Sequence, residues 1–180
     1  MDLNHLLTEK GIDPEKTLVM RHSPQRPDFE RIAPWLITER PEVFNAYQQT
    51  QYPRVEKQLL QADYLASFYG HEAGRAVFVG IYKMAGSKVL PVAKLKKIRA
   101  YSEFLKYWGR AEQTEYRWFD LRLTKHFSDW KAKLVIKWPP PEIAWSRWAS
   151  DNCFEVLSIA EENIFDKEQL DWKTRTFSWD

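Results

Sequence analysis

A polar and aromatic stretch between residues 44 and 51 carries side chains that could read a nucleobase. Its sequence is Phe-Asn-Ala-Tyr-Gln-Gln-Thr-Gln. The amides of Asn45, Gln48 and Gln51 each offer a donor and an acceptor that match the edge of a base, and the ring of Tyr47 could stack on its face. The same pattern is also compatible with an ordinary helix that exposes a polar face. These four residues are therefore candidate base-binding residues.

An alternating strand over residues 64–69 offers a second set of candidates. Successive side chains of a strand point to opposite faces, so one face of this segment belongs to the core and the other could line a concave site. Ser67 would supply a hydroxyl and Phe68 a ring. We predict that this strand and the segment from Asn45 to Gln51 meet at one site that holds a single base.

Two further clusters combine positive charge with positions that could contact phosphate. Arg147 and Trp148 follow a run of three prolines, and this pair of side chains suits phosphate contact and base stacking. A basic run supplies Lys94, Lys96 and Lys97 as phosphate-binding candidates. A tryptophan that caps the core beside a solvated arginine, and a solvated helix face, are the alternative interpretations.

Few residues are arranged for catalysis or for a bound metal. The carboxylates that could hold a divalent cation for phosphodiester cleavage are Asp63, Glu72, Asp120 and Asp129. Such cleavage needs two or three ligands that converge on one point, and no spacing here forces convergence. The four histidines are scattered, and no nucleophile elbow or glycine-rich phosphate loop is present. We expect no catalytic residue, no metal and no cofactor; a nuclease that uses Asp120 with a second carboxylate stays open.

The amino-acid composition limits the kinds of partner that the chain could bind. The chain of 180 residues has 27 basic and 25 acidic side chains, for a net charge of +2. This balance excludes a strongly basic protein that binds nucleic acid through its overall charge, but it does not exclude a local basic face. Nine Trp, eight Tyr and ten Phe exceed what a core of this size needs, so some rings should line a binding surface. A module that binds a protein or a small ligand through an apolar groove is the alternative.

The compartment follows from what the sequence lacks. One cysteine, Cys153, allows no internal disulfide. The amino terminus has charges where a signal peptide would have an apolar core, and no apolar run approaches the ~20 residues that span a bilayer. We expect a cytoplasmic protein without a membrane partner; its oligomeric state is left open.

The pattern of apolar residues predicts an α+β fold. Strands are expected at 17–22, 64–69, 75–84, 118–125, 133–138 and 154–159, and helical segments at 1–12, 28–37, 41–49, 53–61 and within 91–112. Gly80 in the middle of a strand predicts a bulge or a close backbone approach. Such a set favours a curved sheet or partly closed barrel with flanking helices. We predict one domain over residues 1–165 and a tail or linker over 166–180.

The order of these segments resembles a known group of proteins. The stretches that carry this resemblance are FNAYQQTQ, ADYLASFYGHEAGRAVFVGIYKM, WFDLRL, FSDWKAKLVIKWPPP, WSRWA and FEVLSI. Together, over about residues 15–180, they resemble the N-terminal region of bacterial GIY-YIG family proteins, in which that region precedes the nuclease. The predicted strands at 64–69 and 75–84 would form a hairpin rich in aromatic residues, and this hairpin also resembles the PUA-like superfamily, which includes the EVE, ASCH, YTH and SRA domains.

These resemblances imply a function. A PUA-like barrel captures a single base, often a modified one, that is flipped out of a helix or taken from a single strand. The chain would then be the recognition half of a modification-dependent restriction nuclease, with cleavage in a C-terminal GIY-YIG domain outside this sequence. We therefore expect a nucleic-acid-binding module, with DNA favoured over RNA, rather than an enzyme in its own right.

Overall fold

The structure, a computed structural model, describes residues 1–50, 53–70, 73–139, 145–151 and 154–165, with the backbone alone at residues 53 and 54. Gln51 and the predicted tail over 166–180 lie outside these ranges. The helices are α1 (Leu3–Glu9), α2 (Pro27–Glu39), α3 (Pro41–Gln48), α4 (Pro53–Gln61), α5 (Val92–Leu95) and α6 (Arg99–Trp108). The strands are β1 (Thr17–His22), β2 (Tyr64–Tyr69), β3 (Arg75–Pro91), β4 (Glu115–Leu123), β5 (Leu134–Lys137), β6 (Ser146–Trp148) and β7 (Val156–Ile159).

The strands form one mixed, strongly curled sheet that makes a half-barrel with flanking helices, which confirms the predicted fold class. Its order is β6-β1-β2-β3-β5-β7, and β4 also pairs with β3. The β1–β2 pair is parallel, whereas β1–β6, β2–β3, β3–β5 and β5–β7 are antiparallel. A parallel pair needs a crossover connection, and α2, α3 and α4 lie in the chain between β1 and β2.

Gly80 lies beside an irregularity of the sheet, as predicted. Along the β2–β3 pair, Ser67 is opposite Gly80 but Phe68 is opposite Phe78, so Val79 is an extra residue on β3. A β-carbon at Gly80 would approach the Cδ1 atom of Leu123 to 2.7 Å. The glycine therefore accommodates both the bulge and a close neighbour.

The chain divides into two compact units. Among the described residues, the first contains those within 1–23, 54–85 and 121–163, and the second contains those within 24–53, 86–120 and 164–165. Aromatic pairs fill the core of the first unit: the Phe68 ring lies 5.4 Å from the Phe78 ring and the Trp138 ring 5.5 Å from the Phe154 ring, centroid to centroid. Burial of these large apolar side chains is the main source of the unit's stability.

Helices α2, α3 and α6 pack on one another in the second unit. Phe29 of α2 touches both Phe104 and Trp108 of α6 edge to face, at centroid distances of 5.6 and 5.2 Å. The Arg26 guanidinium lies 4.3 Å from the centre of the Trp108 ring, and Arg26 also pairs with Glu112. A ring cluster thus forms the core of this unit.

Several predicted boundaries were wrong. β3 extends to Pro91 rather than ending at Met84, and the basic segment 91–112 splits into two helices, α5 and α6. The three-residue strand β6 was not predicted at all. No helix in the described ranges is both long and apolar enough to cross a membrane.

Candidate functional site

The predicted amide readers of α3 interact with each other. Gln48 is fully buried, and its Nε2 atom donates a hydrogen bond to Oδ1 of half-buried Asn45 at 3.0 Å. This pairing supplies a partner to an amide that would be costly to bury unpaired. Gln48 therefore presents no surface to a ligand in this structure, and the predicted role of Gln51 lies outside the described residues.

Tyr47 belongs to the ring cluster of the second unit. Its ring centroid is 5.2 Å from that of Phe29 and 5.6 Å from that of Trp108. The cavity between Tyr47 and α6, which Tyr101 and Tyr116 also line, has a volume of about 30 Å³. That volume holds one or two water molecules. The rings therefore fill their own space, and a nucleobase does not fit among them.

Strand β2 does not have the exposed face that its alternation predicted. Every residue from Leu65 to Tyr69 is buried, because β2 is a central strand with both faces covered. Ser67 and Phe68 have no exposed surface. They belong to the first compact unit, whereas Asn45, Tyr47 and Gln48 belong to the second. That these two groups jointly hold a base stays a prediction.

The predicted phosphate contacts have different surroundings. Arg147 and Trp148 are half-buried on β6, where Trp148 lies opposite Leu18 of β1. The Arg147 Nη2 atom donates to the carbonyl of Pro139 at 3.4 Å. The three predicted lysines, Lys94, Lys96 and Lys97, are exposed around the end of α5. Their exposure is compatible with phosphate contact, which stays a prediction.

Within the described ranges, no three side chains of His, Cys, Asp or Glu are grouped closely enough to hold a metal ion. Asp120, the carboxylate of the nuclease alternative, is half-buried on β4.

A larger open cleft lies on the first unit, at the connection between β4 and β5. We call it the aromatic–basic cleft, and its lining residues are Lys10, Lys125, His126, Phe127, Ser128, Asp129 and Trp130. Its volume is about 450 Å³. Sites that bind small molecules or single groups typically measure about 300–1,000 Å³. The cleft is therefore large enough for a nucleobase.

Hydrogen bonds to β3 hold the two ends of this connection. The backbone N–H and the hydroxyl of Thr124 both donate to the carbonyl of Ile81 at 2.8 Å, and the hydroxyl accepts from the N–H of His126 at 3.2 Å. At the other end, the N–H of Ala132 donates to the carbonyl of Phe78 at 2.8 Å. The cleft is thus built on the sheet and does not depend on a loose loop.

The rings of the cleft are brought together by a turn of 3₁₀ helix. Phe127 caps the short helix Ser128–Trp130, and the Trp130 N–H donates to its carbonyl at 2.9 Å. Phe127 and Trp130 thus lie at the two ends of one hydrogen-bonded turn, which keeps their side chains close together. The rings of Phe127 and Trp130 accordingly stack, with centroids 5.3 Å apart and planes 2° apart.

Phe127 has a backbone conformation that is unusual for a bulky residue. Its φ of 57° is left-handed, and Ala132 at the other end of the connection has a φ of 61°. A left-handed residue with a β-carbon costs about 1–2 kcal/mol. The anchors on β3 and the contact of Phe127 with Phe78, at 6.4 Å between centroids, stabilise the conformation. Such strain is often found at functional sites.

The polar groups around the rings are available for a ligand. Lys10, at the end of α1, Lys125 and Asp129 are exposed. None of the three side chains forms a hydrogen bond or an ion pair with another described residue. His126 is half-buried and touches Tyr64 edge to face, at 6.3 Å between centroids. The cleft thus combines stacking rings, two ammonium groups and one carboxylate.

Sequence reasoning missed this cleft and interpreted HFSDWKA as a simple connection between strands. The available signal was two rings three residues apart with a lysine on either side, Lys125 and Lys131. What could not be predicted is the left-handed conformation of Phe127, because it depends on hydrogen bonds to carbonyls of a distant strand.

Comparisons of the chain with family models, curated proteins and solved structures give no match. The resemblance to GIY-YIG and PUA-like proteins therefore stays a prediction, and the function is argued from the geometry of the cleft.

Proposed function

We propose that the chain is a nucleic-acid-binding module that holds an unpaired base in the aromatic–basic cleft. The observation that carries this proposal is the parallel stack of Phe127 and Trp130 in an open cleft with Lys10 and Lys125. A base has two flat faces and a neighbouring phosphate. Rings and ammonium groups in one cleft suit these two parts of a nucleotide.

The base would extend the existing ring stack. Phe127 and Trp130 are already in contact, so an incoming base stacks on an outer face and does not insert between them. Such stacking contributes about 1–3 kcal/mol per base, and the lysines add contacts to phosphate. Extracting a base from a duplex costs a few kcal/mol. Single strands, or bases already flipped out, are therefore the preferred ligands.

The charge of the chain sets the expected dependence on salt. A net charge of +2 gives little long-range attraction, so most of the electrostatic contribution comes from the two lysines of the cleft. Recognition of a modified base, a preference for DNA and a partnership with a nuclease domain remain predictions from the sequence.

The direct test is fluorescence anisotropy with labelled single strands and duplexes of one mixed sequence, as DNA and as RNA. Wild type should bind the single strands more tightly than the duplexes, and the double variant Phe127→Ala/Trp130→Ala should lose about tenfold or more in affinity. Trp145→Ala removes an exposed tryptophan that does not line the cleft, and it should bind like wild type. Circular dichroism confirms that each variant folds.

Two results would overturn the proposal. One is a wild-type protein that binds no single strand. The other is a folded double variant whose affinity equals that of wild type, particularly if Trp145→Ala weakens binding instead.

A further inference from the structure

Among the residues that the structure describes, Asp129 is the one carboxylate that lines the aromatic–basic cleft, and its position calls for an explanation. A carboxylate repels the phosphates that Lys10 and Lys125 would attract. Asp129 is exposed and has no ion pair or hydrogen bond with a described residue. It also lies in the chain between the two stacked rings, on the turn that aligns them. A base stacked on these rings would bring its edge near this carboxylate.

The chemistry of a carboxylate discriminates among bases. It offers two acceptor oxygens side by side and no donor. Guanine has two adjacent donors on its Watson–Crick edge, the N1–H and the N2 amino group. Adenine, cytosine and thymine each have a single donor group on that edge. Only guanine can therefore satisfy both oxygens at once, and paired contacts of this kind are the more specific ones.

The lysines of the cleft contact phosphate in the proposed function, which leaves the edge of the base to Asp129. An unpaired carboxylate beside the rings thus matches a base that has two donors on one edge. From this juxtaposition we infer that the cleft selects guanine, with Asp129 as the residue that determines specificity. The inference rests on the proposed function, because it assumes that a base stacks on Phe127 or Trp130.

The test uses single strands made of abasic sites that carry one central base. The base is guanine, adenine, cytosine, thymine or hypoxanthine, which lacks the N2 amino group of guanine. Wild type should bind the guanine strand about tenfold more tightly than the adenine, cytosine and thymine strands, a difference of about 1.4 kcal/mol. Hypoxanthine should lose most of that preference, since it offers one donor where guanine offers two.

Asp129→Asn should bring the guanine strand to within about twofold of the other bases, because an amide offers one acceptor and a donor. The affinity for the other strands should stay the same or rise, since a negative charge is removed. Asp28→Asn, at an exposed residue of α2, is the matched control and should keep the guanine preference.

The outcomes separate the two proposals. Equal binding of all bases, with affinity still dependent on Phe127 and Trp130, would overturn the guanine inference and leave base binding intact. A guanine preference that survives Asp129→Asn would overturn the role of Asp129. Binding of every strand no tighter than a strand without any base would overturn the proposed function itself.

Discussion

The ring of Trp130 lies parallel to the ring of Phe127, three residues earlier, with an angle of 2° between their planes. The centroid distance of 5.3 Å makes this an offset stack, in which each ring covers part of one face of the other and leaves its outer face for a ligand. The rings also pack against the buried core of the first unit. The stack is therefore formed before any ligand binds, and little side-chain entropy is lost on binding.

The two lysines of the cleft should determine how binding responds to salt. Each phosphate contact on a single strand contributes about 0.7 to the slope of log affinity against log salt concentration. Lys10→Gln and Lys125→Gln should each reduce that slope by about this amount. Lys57→Gln, at an exposed position of α4, is the control and should leave it unchanged. If only the triple variant Lys94→Gln/Lys96→Gln/Lys97→Gln lowers the slope, the phosphates lie where the sequence predicted and not at the cleft.

Thr124 should couple the stability of the connection to ligand binding. Its hydroxyl donates to the Ile81 carbonyl and accepts from the His126 N–H. Thr124→Val keeps the shape of the side chain but removes both bonds, at an expected cost of about 1–3 kcal/mol in the free energy of unfolding. Single-strand affinity should fall as well, because the cleft loses an anchor. Thr124→Ser keeps the hydroxyl and should retain most of the free energy of unfolding and most of the single-strand affinity. Equal denaturation midpoints for Thr124→Val and wild type would refute the anchoring role.

The close approach of Gly80 and Leu123 should appear in a double-mutant cycle. Gly80→Ala places a methyl group 2.7 Å from Cδ1 of Leu123. Because this atom ends a half-exposed side chain that can turn away, the substitution should destabilise the protein by no more than about 1 kcal/mol. In a Leu123→Ala background the neighbour is gone, so the same substitution should cost much less. Leu123 is about half exposed, so its own truncation should be mild. Additive free energies from urea unfolding would show that the two positions do not interact.

Tyr101 should make stability depend on alkaline pH. Burial raises the pKa of Tyr101 to about 12, and Tyr116 adds a smaller upward contribution. Below about pH 10 the phenol keeps its proton in both the folded and the unfolded state, so its contribution to stability is complete. Between about pH 10 and about 12 only the unfolded state loses the proton, so stability falls as pH rises.

Tyr101→Phe should flatten that part of the stability profile and remove the phenol that titrates near pH 12 in an absorbance titration. A wild-type titration with no tyrosine near that pH, or a variant that keeps it, would contradict the assignment.

The elements of this fold could be predicted from the sequence where the pattern is local. β1 and β2 have the predicted bounds, because runs of branched and aromatic residues between turn signals are typical of strands. β6 could not be predicted, since three residues with mixed polarity form a strand only by pairing with β1. The extension of β3 beyond Met84 likewise has little hydrophobic patterning, and most of its last residues are exposed.

The candidate site, too, could be predicted from the sequence only where its features depend on local pattern. The sequence predicted aromatic and amide residues whose chemistry suits a base, but it could not show that Gln48 pairs with Asn45 or that Phe68 is buried. These outcomes depend on contacts between distant segments. The stack of Phe127 on Trp130 is local in sequence, yet it depends on a left-handed residue that β3 holds in place. Residue type predicts what a side chain could bind, whereas tertiary structure determines whether a ligand can reach that side chain.

The most direct test of base binding in the aromatic–basic cleft is photocrosslinking to a single strand that carries 6-thioguanine, which keeps the N1–H and N2 donors of guanine and reacts under near-UV light with a ring stacked against it. Trypsin cuts after Lys125 and Lys131, so both rings lie on the peptide from His126 to Lys131. Mass spectrometry of the digest should find the nucleotide adduct on Phe127 or Trp130 of that peptide. An adduct on Tyr47 or Trp148 and none on this peptide would contradict the cleft as the site of base binding.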